Sequence, residues 1–293
     1  MRIEERVSLA RLTTLGTGGP ARWFARPETA GELEEALAFA EREGVGVAVV
    51  GLGSNLLATD EPIEQLVLKL GGELVGVAVD GKHISAGGGA TNAVVLHHAR
   101  RAGLGGFEFA CAIPGTTGGG VSMNAGAYGS DFSQVVERAL VVTAAGSEWR
   151  TPDALGLTYR HSSVTNGQVV ARVELRLARR PAEKIKTTID ELQARRKAAQ
   201  PTNKRTFGSV FENPVHELTA GRMLEACGLK GHRIGGARIS PMHANFIENV
   251  GGARSSDAVE LMIEARRRAF AQFGVELRHE VRFLGLPELP VVT

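Results

Sequence analysis

The sequence of 293 residues has only two cysteines, Cys111 and Cys227, and they stand far apart. No C-x-x-C pair and no histidines at ligand spacing accompany them, which argues against a structural zinc site and against a disulfide framework. No apolar run reaches the length that crosses a membrane, and the stretch "MRIEERVSLARL" carries charges where a signal peptide has an apolar core. We therefore expect a cytoplasmic protein without a bound metal and without a membrane partner.

An excess of one sign of charge is also missing, because 34 Lys and Arg residues stand against 32 Asp and Glu residues, for a formal net charge of +2. A protein that binds nucleic acid without selectivity needs a clear basic surplus. The balance therefore predicts no nucleic-acid partner. The densest basic runs, "QARRKAAQ" and "RRRAF", are typical of solvated helix faces, with an anion site as the second interpretation.

Glycine is abundant, with 37 residues in short clusters between apolar runs. The lack of a fixed period excludes a collagen-like chain. Two clusters, "GLGSN" at 51–55 and "PGTTGGGVSMNAGAYG" at 114–129, offer backbone N–H groups of the kind that bind a pyrophosphate. Neither matches the dinucleotide-binding motif or the P-loop motif. By itself the first reads as a tight turn, whereas the second, with Asn124 and Tyr128, predicts a loop against a flat or phosphorylated ligand.

Periodicity predicts alternating strands and helices in the first part of the chain. A capping box at Thr29 and Glu32 starts a helix that Gly44 ends, and a buried strand at 45–50 follows it. A further strand and glycine turn lead into a second helix that starts near Thr91. This part of the sequence therefore has a β-α-β character.

The later part of the chain begins with short strands, among them "EWRTPDAL" and an alternating stretch at 169–177. Helices are predicted over 184–199 and over 255–273. The second of these presents one predicted face, made of Val259, Met262, Ile263, Arg266 and Phe270. Alternation over 275–283 then predicts a strand, with Glu280 on its polar side.

Three polar residues are candidates for chemistry, and each has a plain structural alternative. Arg160, in "TYRHSS", has the two-pronged geometry that grips a carboxylate, and a surface arginine at a strand end is equally consistent. Glu280, in "HEVRF", reads first as a salt-bridge partner of Arg278 or Arg282. Ser209, in "TFGSVFENP", lacks the elbow glycine and the paired base of a serine nucleophile, and its simplest role is to cap a turn.

The order and spacing of seven segments carry more information than any one of them. They are "LTTLGTGGPARWF", "VVGLGSNLL", "PGTTGGGVSMNAGAYG", "TYRHSS", "RKAAQPTNKRTFGSVFENP", "HANFIEN" and "VELRHEVRFLG". Together they resemble the UDP-N-acetylenolpyruvoylglucosamine reductase family, flavoenzymes of bacterial peptidoglycan precursor synthesis, over nearly the whole chain. The spacing of "VFENP" resembles the branch of that family with a short substrate loop.

The resemblance implies an α+β fold with an FAD-binding domain of the vanillyl-alcohol-oxidase (PCMH) type, made of two subdomains, and a smaller α+β substrate-binding domain. The implied bounds are 1–183 for the FAD domain, split near residue 76, 184–280 for the substrate domain, and 281–293 for a segment that returns to the FAD domain. We expect a monomer with FAD as cofactor, NADPH as hydride donor and a UDP-sugar enolpyruvyl ether as substrate. In the family's reaction a hydride adds to C3 of the enolpyruvyl group and a proton to C2, which yields UDP-N-acetylmuramate.

Carried over residue by residue, the resemblance implies that Arg160 holds the substrate carboxylate and stabilises enolate charge, and that Ser209 donates the proton to C2. It implies that Glu280 stabilises the enol-like intermediate or supports the proton transfer. A serine can protonate a strongly basic carbon although its hydroxyl is a weak acid. The implied FAD contacts are Gly51, Gly53, Ser54, Asn55, Pro114, Gly115, Thr116, Thr117, Gly118, Gly119, Asn124, Gly126 and Tyr128. The implied substrate contacts are Arg196, Gln200 and Asn213.

The sequence also departs from the family pattern at two places. "TTLGTGG" stands where relatives carry an aromatic and a basic residue, and Glu212 replaces a common lysine that could face the diphosphate. Two other functions stay open, another FAD-linked oxidase or dehydrogenase of the same fold and a nucleotide-sugar binding protein without catalysis. The combination of Arg160, Ser209 and Glu280 favours the reductase, because a binding protein needs no proton donor.

Overall fold

The computed structural model describes residues 1–292. Within them the α-helices are Ala30–Glu43 (α1), Asn92–Arg101 (α2), Thr117–Ser122 (α3), Ala182–Ala199 (α4), Ala220–Ala226 (α5) and Ser255–Phe273 (α6). Short 3-10 helices cover Leu9–Arg11, Gly72–Val75, Glu108–Ala112 and Phe132–Gln134. The strands are Ile3–Ser8 (β1), Pro20–Ala25 (β2), Val47–Val49 (β3), Leu56–Ala58 (β4), Ile63–Leu68 (β5), Val77–Asp80 (β6), His83–Gly87 (β7), Leu104–Gly105 (β8), Gly126–Ala127 (β9), Ser130–Asp131 (β10), Val136–Thr143 (β11), Gly146–Arg150 (β12), Val169–Arg176 (β13), Ala178–Arg179 (β14), Thr206–Ser209 (β15), Arg233–Ile234 (β16), Ala237–Ile239 (β17), Phe246–Asn249 (β18) and Arg282–Leu284 (β19).

The chain forms two compact units, each made of several segments. The first unit consists of Met1–Glu5, Arg22–Leu52 and Glu64–Arg196. The second consists of Arg6–Ala21, Gly53–Ile63 and the chain from Lys197 onward. The bounds expected from the sequence divide the chain by the ligand that each part binds, and they stay a prediction.

Helix α1 shows how local signals set the bounds of an element in the first unit. The Thr29 hydroxyl accepts a hydrogen bond from the Glu32 N–H at 3.2 Å, and Gly44 ends the helix with a left-handed φ of 66°. Its apolar side is buried in the core, through Leu33, Ala36, Leu37 and Ala40. The predicted helix is confirmed, and the strand expected at 45–50 forms as β3, parallel to β5.

A five-stranded antiparallel sheet, in the order β12-β11-β13-β7-β6, lies in the same unit. Strand β13 confirms the predicted alternation, because Val173 and Leu175 are fully buried while Arg176 is exposed. Helix α2 also begins as predicted, with the Thr91 hydroxyl accepting from the Val94 N–H at 3.3 Å.

The strand expected in "EWRTPDAL" is wrong beyond Arg150, where β12 ends. Residues 151–156 fold into turns instead, closed by a hydrogen bond from the Leu155 N–H to the Thr151 carbonyl at 2.9 Å. Pro152 has no N–H to give to a ladder, so the chain has little reason to continue as a strand.

The second unit contains an antiparallel sheet in the order β15-β18-β17-β16, with α5 and α6 in the same apolar core. Helix α6 has the predicted ends, but its buried face is rotated from the predicted one. The fully or nearly fully buried positions are Ser255, Ala258, Leu261, Met262, Ala265, Arg266 and Ala269. Val259, Ile263 and Phe270 are only half-buried. The buried face thus combines three alanines with Leu261 and Met262, while Val259, Ile263 and Phe270 lie at its rim.

The prediction of a continuous strand over 275–283 is mostly wrong. Only Arg282–Leu284 forms a regular strand, parallel to β4. The preceding residues keep the predicted alternation of burial, with Leu277 and Val281 buried, and make an isolated bridge between His279 and Phe211. Main-chain bonds on both sides of this bridge replace a continuous sheet partner.

Between residues 1 and 292, no helix has both the length and the apolar character needed to cross a membrane. The same part of the chain has no group of three or more His, Cys, Asp or Glu side chains arranged to hold a metal ion. Both cysteines are free thiols, and burial raises the pKa of each.

Candidate active site

Ser209 and Glu280 lie on neighbouring segments of the second unit. Ser209 is the last residue of β15, opposite Phe246 of β18. Directly after it, the Val210 carbonyl accepts a hydrogen bond from the Glu280 N–H at 2.8 Å, and the Glu212 N–H donates to the Arg278 carbonyl at 3.0 Å. Both candidate residues are half-buried. The fold thus brings together two residues that are 71 positions apart in the chain.

Asn55, from the "GLGSN" cluster, holds the main chain of Glu280. Its side-chain amide donates to the Glu280 carbonyl at 3.1 Å, and its own carbonyl accepts from the Arg282 N–H at 3.0 Å. On the other side, Gly208 has a φ of +85°, and a Cβ there would come within 3.3 Å of the Ser54 carbonyl oxygen. A glycine before Ser209 therefore serves both the backbone conformation and the close approach of residue 54.

Thr14, in the atypical "TTLGTGG" segment, connects the two pieces just described. Its N–H donates to the Gly53 carbonyl at 3.1 Å, and its hydroxyl donates to the Thr206 carbonyl at 2.7 Å. Gly53 has a φ of +65°, and a Cβ there would lie 2.0 Å from the Leu12 carbonyl oxygen. The sequence departs from the family pattern in this segment, and the structure gives Thr14 a supporting role in the second unit.

The two glycine clusters meet inside the first unit. A Cβ on Gly51 would lie 2.6 Å from the Thr116 hydroxyl oxygen, so a glycine is required where the two loops touch. The Lys69 ammonium donates to the Gly51 carbonyl at 2.6 Å. Burial, and then the nearby Arg26 charge, lower the pKa of Lys69. Sequence reasoning missed this lysine, because "VLKL" reads as part of an ordinary strand.

Many glycines of the 114–129 loop have a packing reason. A Cβ on Gly118 would lie 2.8 Å from the Gly88 carbonyl oxygen, and one on Gly120 would lie 2.2 Å from the ring of Phe132. By contrast, Gly119 is exposed and has room for a side chain. Packing within the fold therefore requires a glycine at 118 and at 120.

The N–H groups at the start of α3 are also engaged within the fold. Those of Thr117, Gly118 and Gly120 donate to the carbonyls of Ala90, Gly88 and Thr116, and that of Gly119 donates to the Thr116 hydroxyl. The expectation that this stretch offers many open N–H groups is thus wrong for these four residues. A ligand here would depend on other donors.

Backbone strain concentrates at three of the candidate residues in the first unit. Asn124, Tyr128 and Arg160 have positive φ values of 37°, 55° and 55°, and within residues 1–292 only one other non-glycine residue, Arg6, has a positive φ. Such conformations cost free energy and cluster at functional sites. The strain is thus independent support for the region that the motifs indicated.

The side chains of the same three residues donate hydrogen bonds to main-chain carbonyls of neighbouring segments. The buried Asn124 amide donates to the Thr158 carbonyl at 2.9 Å, next to the turn that carries Arg160. Arg160 in turn donates from Nη2 to the Gly126 carbonyl at 2.9 Å. The Tyr128 hydroxyl donates to the Leu192 carbonyl at 3.3 Å. The glycine loop and the Arg160 turn therefore form one connected structure.

The three candidate substrate contacts lie in different places. Arg196 is half-buried on α4 in the first unit, where burial lowers its pKa and the Tyr128 and Cys111 side chains lie nearby. Gln200 and Asn213 belong to the second unit. The Asn213 side chain is exposed and accepts from the Ala220 N–H at 3.2 Å, which supports the start of α5.

The residues of the first unit fit the diphosphate of an FAD molecule. A lysine ammonium lies at the carbonyl of Gly51, and small residues bring backbone close to that point. Beside the second loop, the Asn92 N–H donates to the Gly115 carbonyl at 3.0 Å, while the buried Asn92 Oδ1 has no partner. The fixed cation and the small residues are groups that a diphosphate would use. The Asn92 Oδ1 only accepts hydrogen bonds, so it would serve a hydroxyl or N–H group of the cofactor and not the diphosphate.

Comparisons with known proteins agree with this assignment. Residues 21–152 match the FAD binding domain family, and residues 200–284 match the UDP-N-acetylenolpyruvoylglucosamine reductase C-terminal domain family. The predicted fold class, an α+β protein with an FAD-binding domain of the vanillyl-alcohol-oxidase type and a second α+β domain, is confirmed. The fold and the FAD-domain match define an FAD-dependent oxidoreductase.

Full-length relatives narrow the class to one family. The chain is 41% identical over 287 residues to UDP-N-acetylenolpyruvoylglucosamine reductase 2 of Symbiobacterium thermophilum, covering 97% of this chain and 92% of that protein. It is 42% identical to the reductase of Gloeobacter violaceus, covering 95% of each chain. The crystal structure of the reductase from Thermus caldophilus matches with a TM-score of 0.84 at 36% identity, covering 97% of this chain and 99% of that one. The chain belongs to the UDP-N-acetylenolpyruvoylglucosamine reductase family.

Proposed function

We propose that this protein reduces the enolpyruvyl ether of UDP-N-acetylglucosamine to UDP-N-acetylmuramate, the reductive step in peptidoglycan precursor synthesis. NADPH is the electron donor and FAD the cofactor. The reaction adds one hydride to C3 and one proton to C2, so that the carbon–carbon double bond becomes a single bond and the ether becomes a lactyl ether. The protein must therefore hold a proton donor beside C2 and stabilise negative charge that develops there.

The pairing of Ser209 with the Glu280 segment is the observation that carries the proposal. The hydrogen bond from the Glu280 N–H to the Val210 carbonyl places a hydroxyl and a carboxylate on adjacent segments of one unit. A hydroxyl and a carboxylate so placed are groups that can deliver a proton. The pairing therefore favours a reaction that ends with proton delivery.

Ser209 acts as the proton donor to C2. A serine hydroxyl is a weak acid, but the carbon that receives its proton is a strong base after hydride addition, so the transfer is downhill. Glu280 stabilises the enol-like intermediate or supports the proton transfer from Ser209. Its main chain is held by Val210 on one side and by Asn55 on the other. This anchoring keeps the carboxylate in place while charge develops.

Arg160 holds the substrate carboxylate and stabilises the charge that spreads onto it. A guanidinium binds a carboxylate in a planar, two-pronged geometry and stays protonated throughout. The strained backbone of Arg160 and its bond to the Gly126 carbonyl aim the side chain from a rigid turn. A preset donor of this kind costs no reorganisation during the reaction.

When bound, FAD supplies the hydride that it has taken from NADPH. Lys69 and the loops around Gly51 and Thr116 hold its diphosphate, and Ser54, Asn55, Asn124 and Tyr128 are further FAD-facing candidates. Arg196, Gln200 and Asn213 are proposed to contact the substrate. Glu212 leaves the turn after Ser209 without the positive charge that is common there.

We also propose a cellular location and an oligomeric state for the protein. Two free thiols support a reducing, cytoplasmic location. A single chain with its own core in each unit supports a monomer. Size-exclusion chromatography with light scattering would test whether the protein is a monomer, and a dimer would contradict this proposal.

Two half-reactions test the proposal separately. In the Ser209→Ala variant, flavin reduction by NADPH should keep its wild-type rate, while flavin reoxidation by the enolpyruvyl substrate should slow roughly 10²-fold to 10⁴-fold. Stopped-flow absorbance of the flavin measures both. Ser256→Ala, an exposed serine at the start of α6, is the matched control and should change neither rate. Wild-type reoxidation in Ser209→Ala would refute the assignment.

A further inference from the structure

His279, the residue before Glu280, makes two hydrogen bonds that point in different directions. Its Nδ1 lies 2.8 Å from the Val281 carbonyl oxygen, and its Nε2 lies 2.9 Å from a carboxylate oxygen of Glu288 in the C-terminal tail. The imidazole also stacks on the ring of Phe283, with the ring centroids 4.3 Å apart and the planes 6° from parallel. The ring is thus held on two edges and one face.

The nature of the two partners sets the protonation state that the contacts need. A carbonyl oxygen only accepts hydrogen bonds, and so does an ionised carboxylate. A neutral imidazole has one N–H and can donate to only one of them, whereas an imidazolium donates to both. The observed arrangement is therefore complete only when His279 carries a positive charge.

The bond from Nδ1 to the Val281 carbonyl closes a short ring of chain around Glu280. The main chain of Glu280 is then held at three points, by this turn, by the Val210 carbonyl and by the Asn55 amide. Loss of the first leaves the other two in place. The effect on Glu280 is thus one of positioning and not of folding.

A cleft of about 320 Å³ surrounds the outer edge of the ring. Acidic and basic side chains both line this cleft, so the imidazolium has charges of both signs around it. The charged groups that line it with His279 are Glu212, Arg266, Arg278 and Glu288. Glu276 forms an ion pair with Arg266. Glu280 and Arg282 follow His279 in the chain. Glu288 is the one that touches the ring.

We propose that His279 is a positioning residue for Glu280, and that its imidazolium form, completed by Glu288, makes proton delivery to the substrate faster at low pH. This inference rests on the proposed role of Glu280. It assigns a function to Glu288 in the C-terminal tail.

The experiment follows the two half-reactions of the FAD-loaded protein from about pH 5 to about pH 8, the range in which histidine titrates. At the acidic end, flavin reoxidation by UDP-N-acetylglucosamine enolpyruvate should be about threefold faster in the wild type than in the variant His279→Gln. The variant should lose this rise and match the wild type at the alkaline end. Glu288→Ala should shrink the rise, because protonation then gains only one bond. Flavin reduction by NADPH should have the same pH profile in all of them.

His83→Gln is the matched control. His83 forms a similar pair, with Glu137 at 2.7 Å, and belongs to the first unit, whereas Ser209 and Glu280 belong to the second. Its pH profiles should equal those of the wild type. A His279→Gln profile that keeps the full acidic rise would overturn the proposal, and so would an equal slowing of both half-reactions at every pH, which a general structural defect produces. Failure of the proposed function has a different signature, an unaffected reoxidation rate in Ser209→Ala.

Discussion

The side-chain amide of Asn55 donates a hydrogen bond at 3.1 Å to the main-chain carbonyl of Glu280, a residue 225 positions further along the chain. The carbonyl of Asn55 completes the contact by accepting from the Arg282 N–H at 3.0 Å. The first bond needs the asparagine side chain, whereas the second is a main-chain contact that any residue at this position can make. A loop that reads as a phosphate-binding turn is therefore also part of the support of a proposed catalytic carboxylate.

Replacing Asn55 by alanine removes the donor and leaves the Glu280 carbonyl without this partner. We expect the free energy of unfolding of the FAD-free protein to fall by about 1–3 kcal/mol, the usual cost of an unsatisfied, partly buried polar group. We also expect slower flavin reoxidation by substrate. Urea denaturation measures the first effect and stopped-flow absorbance the second. Gln193→Ala, on the exposed side of α4, is the control, and an equal effect there would contradict the prediction.

Replacing Lys69 by methionine keeps the apolar stem and removes the ammonium that lies at the Gly51 carbonyl. We expect FAD to bind about 10-fold to 100-fold more weakly, the usual worth of a hydrogen bond to a charged group. Fluorescence titration of the FAD-free protein measures this without any turnover. Lys82→Met removes an exposed lysine of the same unit and should leave the affinity unchanged. Equal affinities for the Lys69 variant and the wild type would exclude a role for Lys69 in FAD binding.

The same lysine predicts how FAD affinity depends on pH. Burial and Arg26 lower the pKa of Lys69, so its ammonium loses a proton at a lower pH than an ordinary lysine does. Wild-type affinity for FAD should fall as pH rises through this lowered value, while the Lys69→Met affinity should not follow it. The sign for folding of the FAD-free protein is opposite. Between the lowered pKa and the ordinary lysine value the unfolded chain binds more protons, so stability rises with pH there.

Two adjacent glycines of α3 allow a matched test of why the 114–129 loop is glycine-rich. Gly120→Ala places a Cβ 2.2 Å from the Phe132 ring, inside the aromatic core, and should destabilise the protein by about 1–3 kcal/mol. Gly119→Ala meets only the Thr116 hydroxyl at 3.4 Å, and alanine favours a helix over glycine by about 1 kcal/mol. We therefore expect no loss of stability from the second change. Thermal denaturation of the FAD-free variants measures both, and equal losses would show that packing is not the reason.

The bounds of most helices could be predicted from the sequence because the atoms that decide them are close together in the chain. The Thr29 hydroxyl that starts α1 bonds to the third residue after it, and Gly44 ends the helix through its own φ. The same holds for the start of α2 at Thr91 and for the end of α6 at Gly274. None of these signals depends on a distant segment.

Which face of a helix is buried could not be predicted as well. Of the predicted face of α6, Met262 and Arg266 are buried, whereas Val259, Ile263 and Phe270 are only half-buried. Their places in the core are taken by Leu261 and by the alanines at 258, 265 and 269. Periodicity measures apolar character, while packing also selects for small volume where elements approach closely. Likewise, the segment before Arg282 alternates like a strand but has no neighbour that offers a continuous ladder.

By itself, the sequence determined the bounds of most helices, the residue types available for chemistry, and the family through the order of its motifs. Only the tertiary structure decided which of these residues contact one another. Asn55 meets Glu280, Thr14 meets Thr206, and Lys69 meets Gly51, across separations of 225, 192 and 18 residues. The physical reason is the range of the interactions. Caps and turns are local, whereas a hydrogen bond between distant segments exists only once the whole unit has folded around it.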